Sequence, residues 1–111
     1  MLYHKNIFLP NVEIAPLSLL SYSKHAKESS RNDRYGTIPL PAYVRKDAEL
    51  IEVEVENNKV VKAVYRQPLR SMPNHDICIV VIPNESFVKT VWINESTDKH
   101  TTLNKDKYAS L

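Results

Sequence analysis

A single glycine in 111 residues is the first thing missing from this chain. With only Gly36 free of a side chain, other tight turns must rest on asparagine, aspartate, serine and proline. Loops that cradle phosphate through close approach of glycine backbone are excluded at the same time. Cysteine is nearly absent too: Cys78 stands alone, so no internal disulfide can form. It sits in the apolar run Ile77-Cys78-Ile79-Val80-Val81-Ile82, where a free thiol behaves as a small hydrophobe. A reducing, cytoplasmic setting is therefore expected. No stretch reaches the ~18 apolar residues of a membrane span. Met1-Leu2-Tyr3-His4-Lys5 also lacks the apolar core of a secretory signal.

What is present is ordinary for one globular domain. Hydrophobic residues make up 42% and charged residues 25%, enough for one modest core. The formal net charge of +2 and the isoelectric point near 8.7 permit an anionic partner without demanding one.

The chain divides into four stretches. Residues 1–16 read as an extended arm punctuated by Pro10 and Pro16, with Tyr3, Ile7, Leu9, Val12 and Ile14 offering apolar contacts, so that it can add an edge strand or pack on a partner. Residues 17–36 carry helix signals: Ser21 or Ser23 as N-cap, a thin stripe of Leu17, Leu20, Ala26 and Ser30, and Gly36 as the stop. Ile38-Pro39-Leu40-Pro41 cannot be helical and forms a rigid connector. Over residues 49–94 the period changes to two, and four strands are expected.

The first hairpin can be set in register by pattern. A three-residue loop, Asn57-Asn58-Lys59, places Val55, Val53 and Ile51 opposite Val61, Ala63 and Tyr65, and Glu54 opposite Lys62. Residues 77–82 are apolar on both faces, which marks a central strand. In the last strand, strict alternation puts Lys89 on one face with Phe87, Val91 and Ile93. Residues 95–111 form a polar tail in which Thr102 or Asn104 caps a short final turn ending at Tyr108. The fold expected is α+β, an N-terminal helix packed on a twisted four-stranded antiparallel sheet.

Metal chemistry finds no support in spacing. The histidines (His4, His25, His75 and His100) show no HxxxH, HxH or CxxC pattern, and no cofactor is implied. RNA cleavage without metal fits the residue types better. It needs a base for the 2′-hydroxyl proton, an acid for the leaving oxygen and cations for the phosphorane. Histidine and arginine supply these. His25, Arg34 and Arg66 are the catalytic candidates; Arg31, Arg70, His75 and Lys89 are candidates for RNA binding. Each has a plainer reading. His25 suits a solvated first helical turn, and Arg31 and Arg34 suit pairing with Glu28 or Asp33 on a wet face. Trp92 suits either a base stack or a core position.

Leu20-Ser21-Tyr22-Ser23-Lys24-His25-Ala26, followed by Arg31 and Arg34-Tyr35-Gly36, resembles the "S-x-H-A…R…R-G" opening of small RelE-like and BrnT-like toxin domains. It is also similar to the histidine helix of the RegB phage endoribonuclease. The strand ending at Arg66, the run at 77–82 and Val88-Lys89-Thr90-Val91-Trp92 come in a similar order. The resemblance covers roughly residues 20–94 and implies metal-independent RNA cleavage, with His25, Arg34 and Arg66 as the residues carried over. The first twenty residues and Lys99-His100-Thr101-Thr102-Leu103 have no counterpart in it. The expected function is a small endoribonuclease or toxin-like RNA-binding protein. The alternative is a non-enzymatic, phage-type accessory or structural protein that docks on a protein partner or a second copy through residues 1–16.

Overall fold

The structure is a computed structural model that describes residues 1–98 and 105–109. It is mostly sheet. In chain order the elements are β1 (Leu2–His4), β2 (Ser21–Tyr22), α1 (Lys24–Arg31), β3 (Glu49–Glu56), β4 (Lys59–Pro68), β5 (His75–Ile82) and β6 (Phe87–Glu95). The strands form one sheet in the order β1-β3-β4-β5-β6-β2. All neighbours are antiparallel except β2 and β6, which run parallel.

This corrects the expected α+β arrangement of an N-terminal helix on a four-stranded antiparallel sheet. The sheet has six strands and is mixed, and the helix has eight residues and lies between two strands. The antiparallel meander from β3 to β6 is only its middle. Both added strands come from stretches too short to show a period. Residues 2–4 of the extended arm add an edge strand, pairing with Val53 and its neighbours, and Tyr3, Leu9, Val12 and Ile14 pack on the core.

The helix expected from residue 17 does not begin there, because the backbone donors of Ser18, Leu20, Ser21 and Ser23 are taken elsewhere. Ser18 N–H donates to Ser86 Oγ, Leu20 N–H to Ala42 O, Ser21 N–H to Ser86 O and Ser23 N–H to Val88 O. An extended segment along β6 results. The helix starts at Ser23, whose Oγ accepts from Ala26 N–H at 2.9 Å, and it ends at Asn32 rather than Gly36. Gly36 instead closes a turn with φ +110, an angle that disfavours any side chain although nothing crowds its Cα.

Asn57 and Asn58 carry the β3–β4 turn with φ of 50 and 63. This is the two-residue connection whose twist matches that of the strands. Glu56 faces Lys59 and Val55 faces Val60, so the three-residue loop is not formed. A bulge at Val61 then restores the polar match, and Glu54 lies opposite Lys62 with their charges 3.7 Å apart. A second irregularity leaves Ile51 unpaired and turns it to the other face, beneath Val64, Cys78 and Val80. The larger core, on the opposite face, joins Leu20, Ala26 and Ile38 to Val53, Ala63 and residues of β5 and β6.

β5 sits between β4 and β6, and Ile77 through Val81 are buried on both faces. Burial pushes the Cys78 thiol up to about 12, so it stays protonated and inert at neutral pH. Past Glu95 the chain crosses back: Asp98 O accepts from Arg66, and Ala109 N–H donates to Leu2 O. Tyr108 O–H donates to Glu52 at 2.6 Å, and its ring meets buried His4 edge-on. A single 3₁₀ turn, Lys105–Lys107, precedes it; the expected caps Thr102 and Asn104 lie outside the described residues. No helix among the described residues is long and apolar enough to cross a membrane.

Because Asn58 holds a left-handed angle, Asn58→Gly is expected to keep or raise stability. Asn58→Val is expected to lower it by about 1–2 kcal/mol. Urea denaturation with an unchanged slope measures both.

Candidate functional site

The sequence of α1 leaves it little to bury. Only Ala26 and Ser30 are inside, and Ser30 Oγ donates to Lys27 O at 2.7 Å. This narrow small-residue face lets the helix lie close against β6. Lys24, Lys27 and Arg31, at i, i+3 and i+7, share an exposed side. Lys24 and Glu28 approach to 4.0 Å in full solvent, a contact worth little.

Ser23 ties the helix start to the sheet. While its oxygen caps Ala26, its hydroxyl donates to Lys89 O at 2.7 Å. Lys89 has no partner in the ladder: Val80 faces Thr90 and Val81 faces Val88, so residue 89 is a bulge. This overturns the alternation that placed Lys89 among Phe87, Val91 and Ile93. The bulge turns its side chain to solvent and hands its carbonyl to the helix.

At the helix end, Asn32 Nδ2 donates to Glu28 O at 3.1 Å. Asp33 then shapes the next turn: Oδ2 accepts from Tyr35 N–H at 3.0 Å, and Oδ1 lies 3.5 Å from Ile93 N. Arg34 is thereby held out from the turn, its guanidinium 4.8 Å from the centre of the Tyr35 ring. Tyr35 in turn donates to Glu95 Oε1 and meets the His75 ring edge-on at 4.8 Å.

Between α1 and β6 lies an open groove of about 640 Å³. His25, Glu28, Ser29, Asn32, Asp33 and Arg34 line one wall, and residues 90–94 form the other. His25 Nε2 is 3.4 Å from Ser29 Oγ, and the imidazole is exposed. The parity that turns Ile93 N–H out toward Asp33 also turns the Val91 N–H and C=O outward, so one peptide edge of β6 opens into the groove.

The expected residues thus separate. His25 and Arg34 line one groove, and Arg31 is exposed on the same helix. His75 is reached through Tyr35, and Arg70 lies further along at the rim of a second cavity. Lys89 flanks the helix start. Arg66 is elsewhere, on the sheet face that carries Val64 and Cys78, and is only 8% exposed. Its Nε donates to Asp76 at 2.7 Å, Nη1 to Asp98 O and Nη2 to Glu95 O. Ser96 Oγ satisfies the other Asp76 oxygen. Every arm of that guanidinium is taken up in holding the tail to β4 and β5. Trp92 packs in the same smaller cluster, against Ile51, Val64, Cys78 and Val80.

His100 lies outside the described residues. Among those described, no three His, Cys, Asp or Glu side chains gather as a metal site. Asn32, Asp33 and Tyr35 are not singled out by sequence reasoning; the clue available is the turn-forming run Asn32-Asp33-Arg34-Tyr35-Gly36.

Arg66→Ala is expected to cost about 3–5 kcal/mol by leaving Asp76 without its cation in a nearly closed setting. The pair of changes Arg66→Met and Asp76→Leu together is expected to recover most of that loss. Equilibrium denaturation distinguishes the two, and an Arg66→Ala protein of full stability would return this residue to the binding candidates. The chain matches no protein-family model, no curated protein and no solved structure, so the reading of the groove rests on its own geometry.

Proposed function

We propose that this chain is a small metal-independent endoribonuclease of toxin-like type, and that single-stranded RNA lies in the groove between α1 and β6. One observation carries the reading: an exposed imidazole, His25, and an exposed guanidinium, Arg34, line the same open groove. The His25 imidazole takes the proton from a 2′-hydroxyl, and that oxygen attacks the adjacent phosphorus. Arg34 spreads two N–H donors over the non-bridging oxygens as negative charge builds there. The bond to the 5′-oxygen breaks, and this oxygen takes a proton from water, which the open groove admits. The products are a 2′,3′-cyclic phosphate and a free 5′-hydroxyl.

The charge balance beside the groove leans the same way. Lys24, Lys27, Arg31, Arg34 and Lys89 outnumber Glu28, Asp33 and Glu95 on the α1 side of the sheet, whereas Glu49, Glu54 and Glu56 of β3 are paired with Lys5, Lys62 and the N-terminal amine. A polyanion meets a modest attraction at the α1 side. RNA and the free Cys78 thiol together favour a cytoplasmic setting. The alternative, docking on a protein partner or a second copy through residues 1–16, draws less support. β1 already pairs with β3, and Leu9, Val12 and Ile14 already pack on this chain's own core.

Incubation of the purified protein with total RNA in EDTA is expected to yield fragments with cyclic-phosphate ends. His25→Ala is expected to slow cleavage by about 10²–10⁴-fold at an unchanged melting temperature, since the side chain is exposed. Salt-sensitive binding without cyclic-phosphate ends would reduce the protein to an RNA binder. An equally active His25→Ala would remove His25 from the chemistry.

A further inference from the structure

A second cavity lies beyond the groove, and nothing in the reaction above uses it. It holds about 370 Å³, within the range of small-ligand sites, between the connector and the end of β4. Leu40, Leu69 and buried Ile77 give it an apolar interior, and the rings of Pro39, Pro41 and Pro68 wall it. Two arginines stand at its rim, and they differ. Arg45 is already engaged, with Asp47 at 2.5 Å and with Pro68 O at 3.2 Å. Arg70 is exposed and makes no ion pair among the described residues. An apolar slot with one available cation at its rim suits a flat, weakly polar ring joined to an anion.

A chain of contacts links the slot to the groove. Arg34 lies over Tyr35, Tyr35 touches His75, and His75 O accepts from Leu69 N–H at 3.0 Å. Leu69 and Arg70 line the slot, and Ile77 sits two residues along β5 from His75, on the same face. A strand leaving Arg34 therefore meets, in order, Tyr35, His75 and then a cation beside an apolar recess.

We infer that this recess is a base-binding subsite, which takes a base of the RNA strand lying in the groove while Arg70 holds its phosphate. The inference rests on the reading of the groove as an RNA site, and it narrows the substrate to unpaired RNA. A base inside a duplex cannot leave its stack to enter the recess without the cost of unpairing. Leucine and proline surfaces grip any base face, so little sequence preference is expected from this contact.

Amide NMR of the intact protein tests it, with a short oligoadenylate, adenosine monophosphate and an RNA hairpin stem as probes. Oligoadenylate is expected to shift His25 and Ser29 in the groove together with Leu40, Leu69 and Ile77 in the recess. The stem is expected to leave the recess signals unmoved. Arg70→Glu, at an exposed site that the fold does not need, is expected to weaken oligoadenylate about 10- to 150-fold, the range of one lost charge-assisted phosphate contact. Groove signals that move while the recess stays silent, or an Arg70→Glu protein of full affinity, would overturn the subsite and leave the groove reading intact. Silence at both places would overturn both. Recess signals that answer to adenosine monophosphate, with no groove response to oligoadenylate, would keep a nucleotide pocket and remove the nuclease.

Discussion

One hydroxyl sets where the groove lies. Ser23 accepts from the Ala26 amide in the first turn of α1 and donates to the carbonyl that the Lys89 bulge turns out of the ladder. The two bonds use the same atom, so the helix cannot start elsewhere without giving up its anchor on β6. A helix with a broad apolar stripe would roll onto the sheet face and close the groove. Because α1 buries only Ala26 and Ser30, it stays at the edge and leaves its wall open.

Irregular pairing does comparable work throughout the sheet. Bulges free Ile51, Val61 and Lys89 from the ladder. The first swings an isoleucine beneath Cys78 to fill the smaller cluster, the second rescues the match of Glu54 with Lys62, and the third anchors the helix. Each inserts one residue and so shifts the alternation of faces by one step in the rest of its strand. The chain achieves this with almost no glycine. Asparagine takes the left-handed positions at 57, 58 and 74, and Ser86 takes another between the short Pro83–Glu85 turn and β6.

These devices also mark what is legible beforehand. The β5 run is legible because burial on both faces removes polar residues from a strand altogether, and the Ser23 cap because its chemistry is local. The two short strands are not. Leu2-Tyr3-His4 and Ser21-Tyr22 hold too few residues to display a period, and both are fixed by partners far along the chain. Strict alternation fails at Lys89 for a related reason, since one bulge reverses the assignment of a side chain without leaving any mark in composition. In the groove, His25 and Arg34 can be nominated by residue type alone. Their meeting depends on Asp33, whose two oxygens reach Tyr35 and β6, and that contact is invisible in one dimension.

Arg34 and Arg66 make the same point with one side chain. Both guanidiniums carry a permanent charge and the same fork of donors. Arg66 faces Asp76 and two carbonyls in a nearly dry setting, so removing it strands a buried charge and its whole capacity is consumed internally. Arg34 rests on the face of a tyrosine, a contact that orients the guanidinium while satisfying none of its N–H donors. Residue type nominates an arginine, but the count of donors left after folding decides whether it can serve a phosphate. By that measure Arg66 is spent on the fold, whereas Arg34 keeps the donors that the proposed RNA site needs.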